Sequence, residues 1–200
     1  MITFDEGKHI YHVDGVKKPN VTEILGLISA SAYNKINPET LRQAALRGSI
    51  VHEATELIDI DMTDRLSVPY EYAGYINAYT EFVRLYRPEW EYIESMLYEP
   101  NNDYCGTVDR CGWIDGKRAI VDIKTVSTPT KTTYVLLAAQ TAAYAKAIKV
   151  DVEKRYGLFL KKDGTFRLVD CAEYERKYDF DGWVVFTACL DFSKKITRWL

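Results

Sequence analysis

The 200-residue sequence has no apolar run approaching the roughly 18 residues of a membrane-spanning helix, so no membrane partner is expected. It has no CxxC pair. Cys105, Cys111, Cys171 and Cys189 stand singly, at spacings that match neither a zinc nor an iron–sulfur pattern, and are read as reduced thiols. It has no basic excess either: 26 Lys and Arg face 29 Asp and Glu, for a net charge of −3. That excludes a basic coat over the whole surface but not a local basic groove. Internal repeats and low-complexity linkers are missing. The opening MITFDEGKHIYHVDG shows neither an apolar signal core nor an arginine-rich presequence, so a cytoplasmic location is expected.

What is present is material for a core. At 47% hydrophobic residues, the chain can bury one sizeable domain over residues 1–200. Residues 1–38 read as a hairpin and short helix, 39–149 as a core that carries the motifs, and 150–200 as a hairpin and helix. KHIYHVDGVKK turns at Asp14-Gly15, and NVTEILGLIS follows as a helix with Thr22 as its N-cap. His9 and His12 on that hairpin are given no role. A longer helix runs from about Glu39 to Ile60, interrupted by Gly48, whose missing side chain suggests close approach of a backbone or ligand. A tyrosine-rich helix, read as packing and surface, ends at Pro88. EYIESMLYE, CGTVDRCGWI and RAIVDIK alternate as strands, and an alanine-rich helix follows. A hairpin around Asp163-Gly164 and a final amphipathic helix complete the chain. This order predicts a mixed sheet flanked by helices, an α/β (α+β) fold.

VDIKT, residues 121–125, places Asp122 and Lys124 on one face of an apolar strand. A solvated edge strand would accommodate them. The preceding turn gives them another meaning. If Asp115-Gly116 is a two-residue turn, Ile114 pairs with Lys117 and Asp109 falls opposite Asp122, with Thr107 and Lys124 on the same face. Opposed carboxylates repel, so either one is protonated or a cation lies between them. Oxygen ligands suit Mg²⁺ or Mn²⁺, and a lysine beside such an ion can orient water or offset charge on a phosphate. A one-residue bulge would break this register.

Two helices could complete the site. His52 and Glu56 stand at i,i+4, but Glu56 occupies the place of the second histidine in a zinc-protease HExxH, so His52 paired with Glu56 is the plainer reading. Gln140 and Tyr144, also at i,i+4, are polar side chains among alanines that let their helix lie close to the sheet. Both can bond phosphate or base oxygens, and tyrosine can stack.

Taken in order, RGSIVHEA, YIESMLYE, GTVD, DIKT and QTAAY resemble the motifs of the PD-(D/E)XK nucleases, in the RecB-type exonuclease branch, over residues 47–144. The opening KHIYHVDGVKKPNVTEIL is similar to phage-encoded exonucleases of this branch. IESMLYEPNNDYCGTVDR is similar to the mitochondrial genome-maintenance exonuclease, and the missing presequence favours a phage or prophage origin.

The resemblance implies a restriction-endonuclease-like mixed sheet and metal-dependent DNA exonuclease activity in phage recombination, replication or repair. It implies Mg²⁺ or Mn²⁺ held by Asp109, Asp122, His52 and the carbonyl of Ile123. Lys124 would position the attacking water, and Glu94 would support the metal or its water. Gln140 and Tyr144 would orient the DNA strand end or its phosphate. The partners implied are single-stranded or duplex DNA ends, with a recombinase or single-strand-binding protein beside them. Val108 stands where the family name expects proline. The cysteine set of the iron–sulfur members is missing, so no iron–sulfur cluster is expected. Glu94 is preferred to Glu99, since a spacing of five puts them on opposite faces. Arg47, Arg110, Lys131 and Lys161 are candidate channel walls. A structure-specific endonuclease or nickase, and a non-catalytic DNA-binding module, stand as alternatives.

Overall fold

The computed structural model describes residues 1–5, 7–34, 36–126 and 128–197. The chain opens with an antiparallel sheet of three strands, β1 (Ile2–Asp5), β2 (Ile10–Val13) and β3 (Val16–Lys18). The expected hairpin is β2–β3. Asp14 and Gly15 both take positive φ (50° and 80°), the type I′ geometry whose twist suits two antiparallel strands.

Helix α1 (Val21–Tyr33) is capped by Asn20, whose side chain accepts a hydrogen bond from Glu23 N at 2.9 Å. The cap is therefore Asn20 and not Thr22. Asn20 is held in extended conformation by a bridge to Cys105, which starts the helix two residues earlier than the sequence suggested. Helix α2 (Pro38–Asp59) has Asn37 as cap and proline at its first position, where the missing N–H costs nothing. Helix α3 (Ala73–Tyr86) ends at Arg87 in the left-handed region, just before Pro88.

The main sheet has five strands in the order β4 (Glu89–Glu99), β5 (Tyr104–Ile114), β6 (Lys117–Lys124), β7 (Lys154–Leu160) and β8 (Phe166–Asp170). Only β6 and β7 run parallel, and α4 (Lys131–Ala147) makes the crossover between them. The mixed sheet flanked by helices is thus as expected. Helix α5 (Cys171–Tyr178), a short segment capped by Asp170, was not anticipated, and α6 (Gly182–Thr197) closes the chain.

One face of the sheet packs Val108, Cys111 and Ile120 beneath α1, α4 and α6. The other packs Ile114, Val121, Ile123, Leu158 and Leu160 against α2 and α3. β6 is therefore the central strand, not a solvated edge, and Val121 and Ile123 anchor it in the α2–α3 layer. Among the described residues no helix is long and apolar enough to cross a membrane.

Gly48 does not mark a close approach. A Cβ built there meets nothing within 4 Å. Gly48→Ala is accordingly expected to stabilise the protein by about 1 kcal/mol through helix propensity alone. A urea midpoint that falls in this variant would show a contact that the open space does not suggest.

Candidate metal centre

The Asp115-Gly116 turn forms as read, with φ of 50° and 71°. The register follows from Ile114↔Lys117 to Arg110↔Val121. One step further it stops. Asp109 and Asp122 are not a cross-strand pair; instead Asp109 Oδ2 accepts the Ile123 backbone N–H at 2.7 Å. The cause is a reversal of the pleat. Residues two apart on a regular strand share a face. Here Val108 packs under α1 and α4, while Arg110 points to Asp59 and Thr55 of α2. Asp109 is the residue at which β5 changes face. On β4, between the pairs Ile93↔Arg110 and Ser95↔Val108, Glu94 takes a left-handed φ of 40°. A non-glycine residue held there inside a strand stores roughly 1–3 kcal/mol of strain, and such residues cluster at functional sites. The reversal also turns Thr107 away from Lys124. Its hydroxyl meets Tyr11 Oη at 2.7 Å.

The two irregular residues meet His52. His52, Glu94 and Asp109 each offer a ligand atom, all within 4.8 Å of one another. His52 Nδ1 lies 3.4 Å from Glu94 Oε1 and 3.7 Å from Asp109 Oδ2, while Nε2 is 3.1 Å from the Ile123 carbonyl oxygen. Its partner is Glu94, not Glu56. Burial works against the charged imidazole, but the Asp109 carboxylate and the Glu94 hydrogen bond outweigh it and push the pKa up to about 9. Both ring nitrogens then donate, and the imidazolium offsets part of the charge of the acidic pair. His52 and Glu94 face an open cleft of about 680 Å³ lined also by Phe4, Met96, Thr107, Glu53 and Glu56, with Asp109 buried behind them. Glu99 lies elsewhere, accepting from the backbone and side chains of Asn101 and Asn102 at the β4–β5 turn. Of the two glutamates, Glu94 is the one beside His52.

Asp122 stands outside that trio. Its carboxylate is fully buried, and neither oxygen has a hydrogen-bond partner. Lys124 Nζ is 2.5 Å from Oδ2 but out of line for a hydrogen bond. Burial, opposed by Lys124 and reinforced by the Asp109 charge, raises the Asp122 pKa to about 6. Lys124 Nζ also donates to Gln140 Oε1 at 3.3 Å, and Gln140 Nε2 donates to Tyr144 Oη at 3.0 Å. Helix α4 can reach this close because Gly157, the β7 partner of Asp122, leaves room for Leu137, with a built Cβ only 2.3 Å from Leu137 Cδ2.

Tyr144 is buried, so its ring is not open to a base, and the stacking expected of it is not offered. It fits because of Gly106, where a Cβ would come within 2.7 Å of Tyr144 Cε1. The glycine of GTVD and the tyrosine of QTAAY are therefore packing partners.

Arg110 is not a channel wall. It is wholly buried, pairing with Asp59 Oδ2 at 2.5 Å and Glu94 Oε1 at 2.8 Å, and donating to the Asp109 carbonyl at 2.6 Å. Arg47 is partly exposed near the exit of β6, with Nε 3.3 Å from Thr125 Oγ1, and Lys131 and Lys161 lie beyond the ends of β6 and β7. The sequence reading passed over Asp59 and Tyr79, which complete the Arg110 network. It also passed over Tyr33 at the end of α1, whose phenol bears electrostatically on Lys124. None carries a local sequence signal, since each acts across the fold.

The donors suit a hard divalent cation: carboxylates, one carbonyl and one imidazole. Asp122 points the same way: its buried carboxylate has the Lys124 ammonium at Oδ2 and no partner at Oδ1, and a buried charge left partly unmet is costly. No protein-family model matches this chain, and no match is found among the curated proteins.

Proposed function

We propose that the chain is a metal-dependent DNA exonuclease, a RecB-type member of the PD-(D/E)XK nucleases, with the mixed sheet as its restriction-endonuclease-like core. The single observation that carries this reading is Asp122. A fully buried carboxylate whose one partner is the Lys124 ammonium, with its second oxygen unmet and a His–Glu–Asp group beside it, suits a metal ligand. Asp109, Asp122, His52 and the Ile123 carbonyl would hold Mg²⁺ or Mn²⁺, with Glu94 supporting them. Bound there, the ion would lower the pKa of a water and polarise the scissile phosphate. Lys124, hydrogen-bonded to Gln140, would orient that water and offset charge on the phosphate. Gln140 and Tyr144 act as one hydrogen-bonded unit that positions Lys124. The setting that suits such an enzyme is phage recombination, replication or repair, alongside a recombinase or single-strand-binding protein.

The test uses end-labelled linear single strands, linear duplexes and closed single-stranded circles, each with Mg²⁺ and with Mn²⁺. Linear ends should be degraded and circles left whole. Cleavage of circles would make the protein an endonuclease. DNA binding without any cleavage would make it a non-catalytic module.

Metal affinity should depend on pH with a defined sign. Ligands must be deprotonated to bind metal. His52 holds its proton up to about pH 9, so binding must displace it at neutral pH. Mn²⁺ affinity should therefore rise about tenfold per pH unit from roughly pH 7 towards 9, one proton being released. Below about pH 6 the Asp122 proton adds to the slope. Calorimetric titration of Mn²⁺ across this range measures it, and a flat profile would exclude His52 as a ligand.

A further inference from the structure

Beyond the metal centre, the same sheet face carries a second charged group. Lys124, Phe159 and Arg167 are register partners across β6, β7 and β8. Phe159 and Tyr134 pack together on the α4 side, and Arg167 reaches the hydroxyls of Tyr134 and Tyr174 on that side. Arg167 thus lies two strands from Lys124, about 10 Å at the ordinary strand spacing. Around it, three tyrosines of α4 and α5 form a cluster. Tyr134 stacks on Tyr174 with centroids 3.8 Å apart, and Tyr178 lies 6.0 Å from Tyr174.

Three cations sit on this cluster. Lys131 Nζ is 5.1 Å from the Tyr178 centroid, and Lys177 Nζ is 5.6 Å from Tyr174 and 5.3 Å from Tyr178. The Arg167 guanidinium is 5.9 Å from the Tyr174 centroid. All three residues are exposed, whereas the Tyr134 and Tyr174 side chains beneath them are buried. Among the described residues none of the three pairs with a carboxylate. Of the acids nearby, Asp170 pairs with Lys154 at 2.7 Å and Glu175 with Arg155 at 2.7 Å, while Glu173 stands one turn from Lys177 and Asp179 caps the helix without an ion pair to the three cations. In a chain of net charge −3, such a group of unpaired, ring-anchored cations stands out. Resting on aromatic faces, they are restrained before a ligand arrives, which lowers the entropy lost on binding.

We propose that Lys131, Arg167 and Lys177 form a phosphate-binding ledge for the DNA strand whose bond is cut at Lys124, an inference that rests on the nuclease reading above. At about 10 Å, Arg167 lies within a few nucleotides of the scissile bond along the strand. The ledge reads the backbone and not the bases, because its rings are covered by the cations and largely buried.

The experiment measures affinity of the full chain for a long single-stranded oligonucleotide and for a dinucleotide, with Ca²⁺ in place of Mg²⁺, over a range of salt. The variant Lys131→Gln/Arg167→Gln/Lys177→Gln should lose ten- to a hundredfold in affinity for the long strand. Its salt slope should shrink by about 2, from three lost contacts at about 0.7 each. The advantage of the long strand over the dinucleotide should collapse. The charge-keeping variant Lys131→Arg/Arg167→Lys/Lys177→Arg should retain slope and affinity; failure to do so would assign the cluster a structural role and overturn the proposal. Full affinity and an unchanged slope in the glutamine variant, with cleavage by the parent intact, would overturn the ledge alone. No DNA binding by the parent would overturn both ledge and nuclease reading. Cleavage surviving in Asp122→Asn would count against the site assignment without touching the ledge.

Discussion

Asp122→Asn is expected to lose divalent-metal-dependent DNA hydrolysis by at least about 10³-fold while remaining folded, a loss of roughly 4 kcal/mol in transition-state stabilisation. The substitution keeps volume and removes the charge. In the parent the carboxylate has nothing to bond with except the misaligned Lys124 ammonium, so the group gives the apo fold little beyond that one attraction. Its value lies in what it can hold. A bound ion at a hundred times its Kd should stabilise the parent by about 2.7 kcal/mol, and the variant should lose most of that rise on adding Mn²⁺.

The metal-free proteins should also differ in pH dependence. Asp122 moves from 3.8 to about 6 on folding, so the native state binds more protons than the unfolded chain between those values. The Asp122 contribution to stability of the metal-free parent should therefore fall as pH rises from about 4 to about 6, so the stability of the parent relative to Asp122→Asn should drop across that range. Urea denaturation at a series of pH values reads it directly. A variant that still degrades DNA at the parent's rate would remove Asp122 from the site and with it the main support for the proposed function.

What could be read from the sequence was what local chemistry dictates. Asp14-Gly15 and Asp115-Gly116 announce turns because few residue pairs tolerate positive φ twice, and the second turn correctly sets the register of β5 and β6 as far as Arg110↔Val121. The alanines of α4 announce close packing on the sheet, which the burial of Ala138, Ala139 and Ala143 bears out. What could not be read was the reversal at Glu94 and Asp109. No glycine marks it: both residues are acids, and the left-handed Glu94 is held there by contacts from elsewhere in the chain. Reading the alternation straight through gave Thr107 a place beside Lys124. Arg110 was set on a channel wall for its charge alone, and its burial against Asp59 and Glu94 overturns that. The site residues nevertheless gather, because His52, Glu94 and Asp109 are brought together by the irregularity itself, while Asp122 and Lys124 keep the regular pleat of β6.

Arg110 is the residue that holds this irregularity, and its removal should have the largest effect on stability. Its guanidinium joins the Glu94 carboxylate, the Asp109 carbonyl and the Asp59 carboxylate, so it binds both strands at the point where they change face and ties them to α2. Asp59 is itself almost fully buried, with the Tyr79 hydroxyl at 2.5 Å as its other partner. Arg110→Met leaves that charge uncompensated. Breaking one side of a buried pair costs about 3–5 kcal/mol, which should lower the Tm of a chain of this size by about 10 °C. Replacing both partners, in Arg110→Met/Asp59→Leu, should recover a large part of the stability, because an apolar pair avoids the desolvation penalty altogether. Activity should not return with it. Glu94 would still lack the partner that holds its carboxylate in the left-handed turn, and His52 would lose its nearest acceptor on that side. Urea denaturation and the DNA-hydrolysis assay on the same two variants separate these outcomes. A cost below about 1 kcal/mol for Arg110→Met would make the network a surface-like pair. Activity restored in the double variant would show that Glu94 needs no such support.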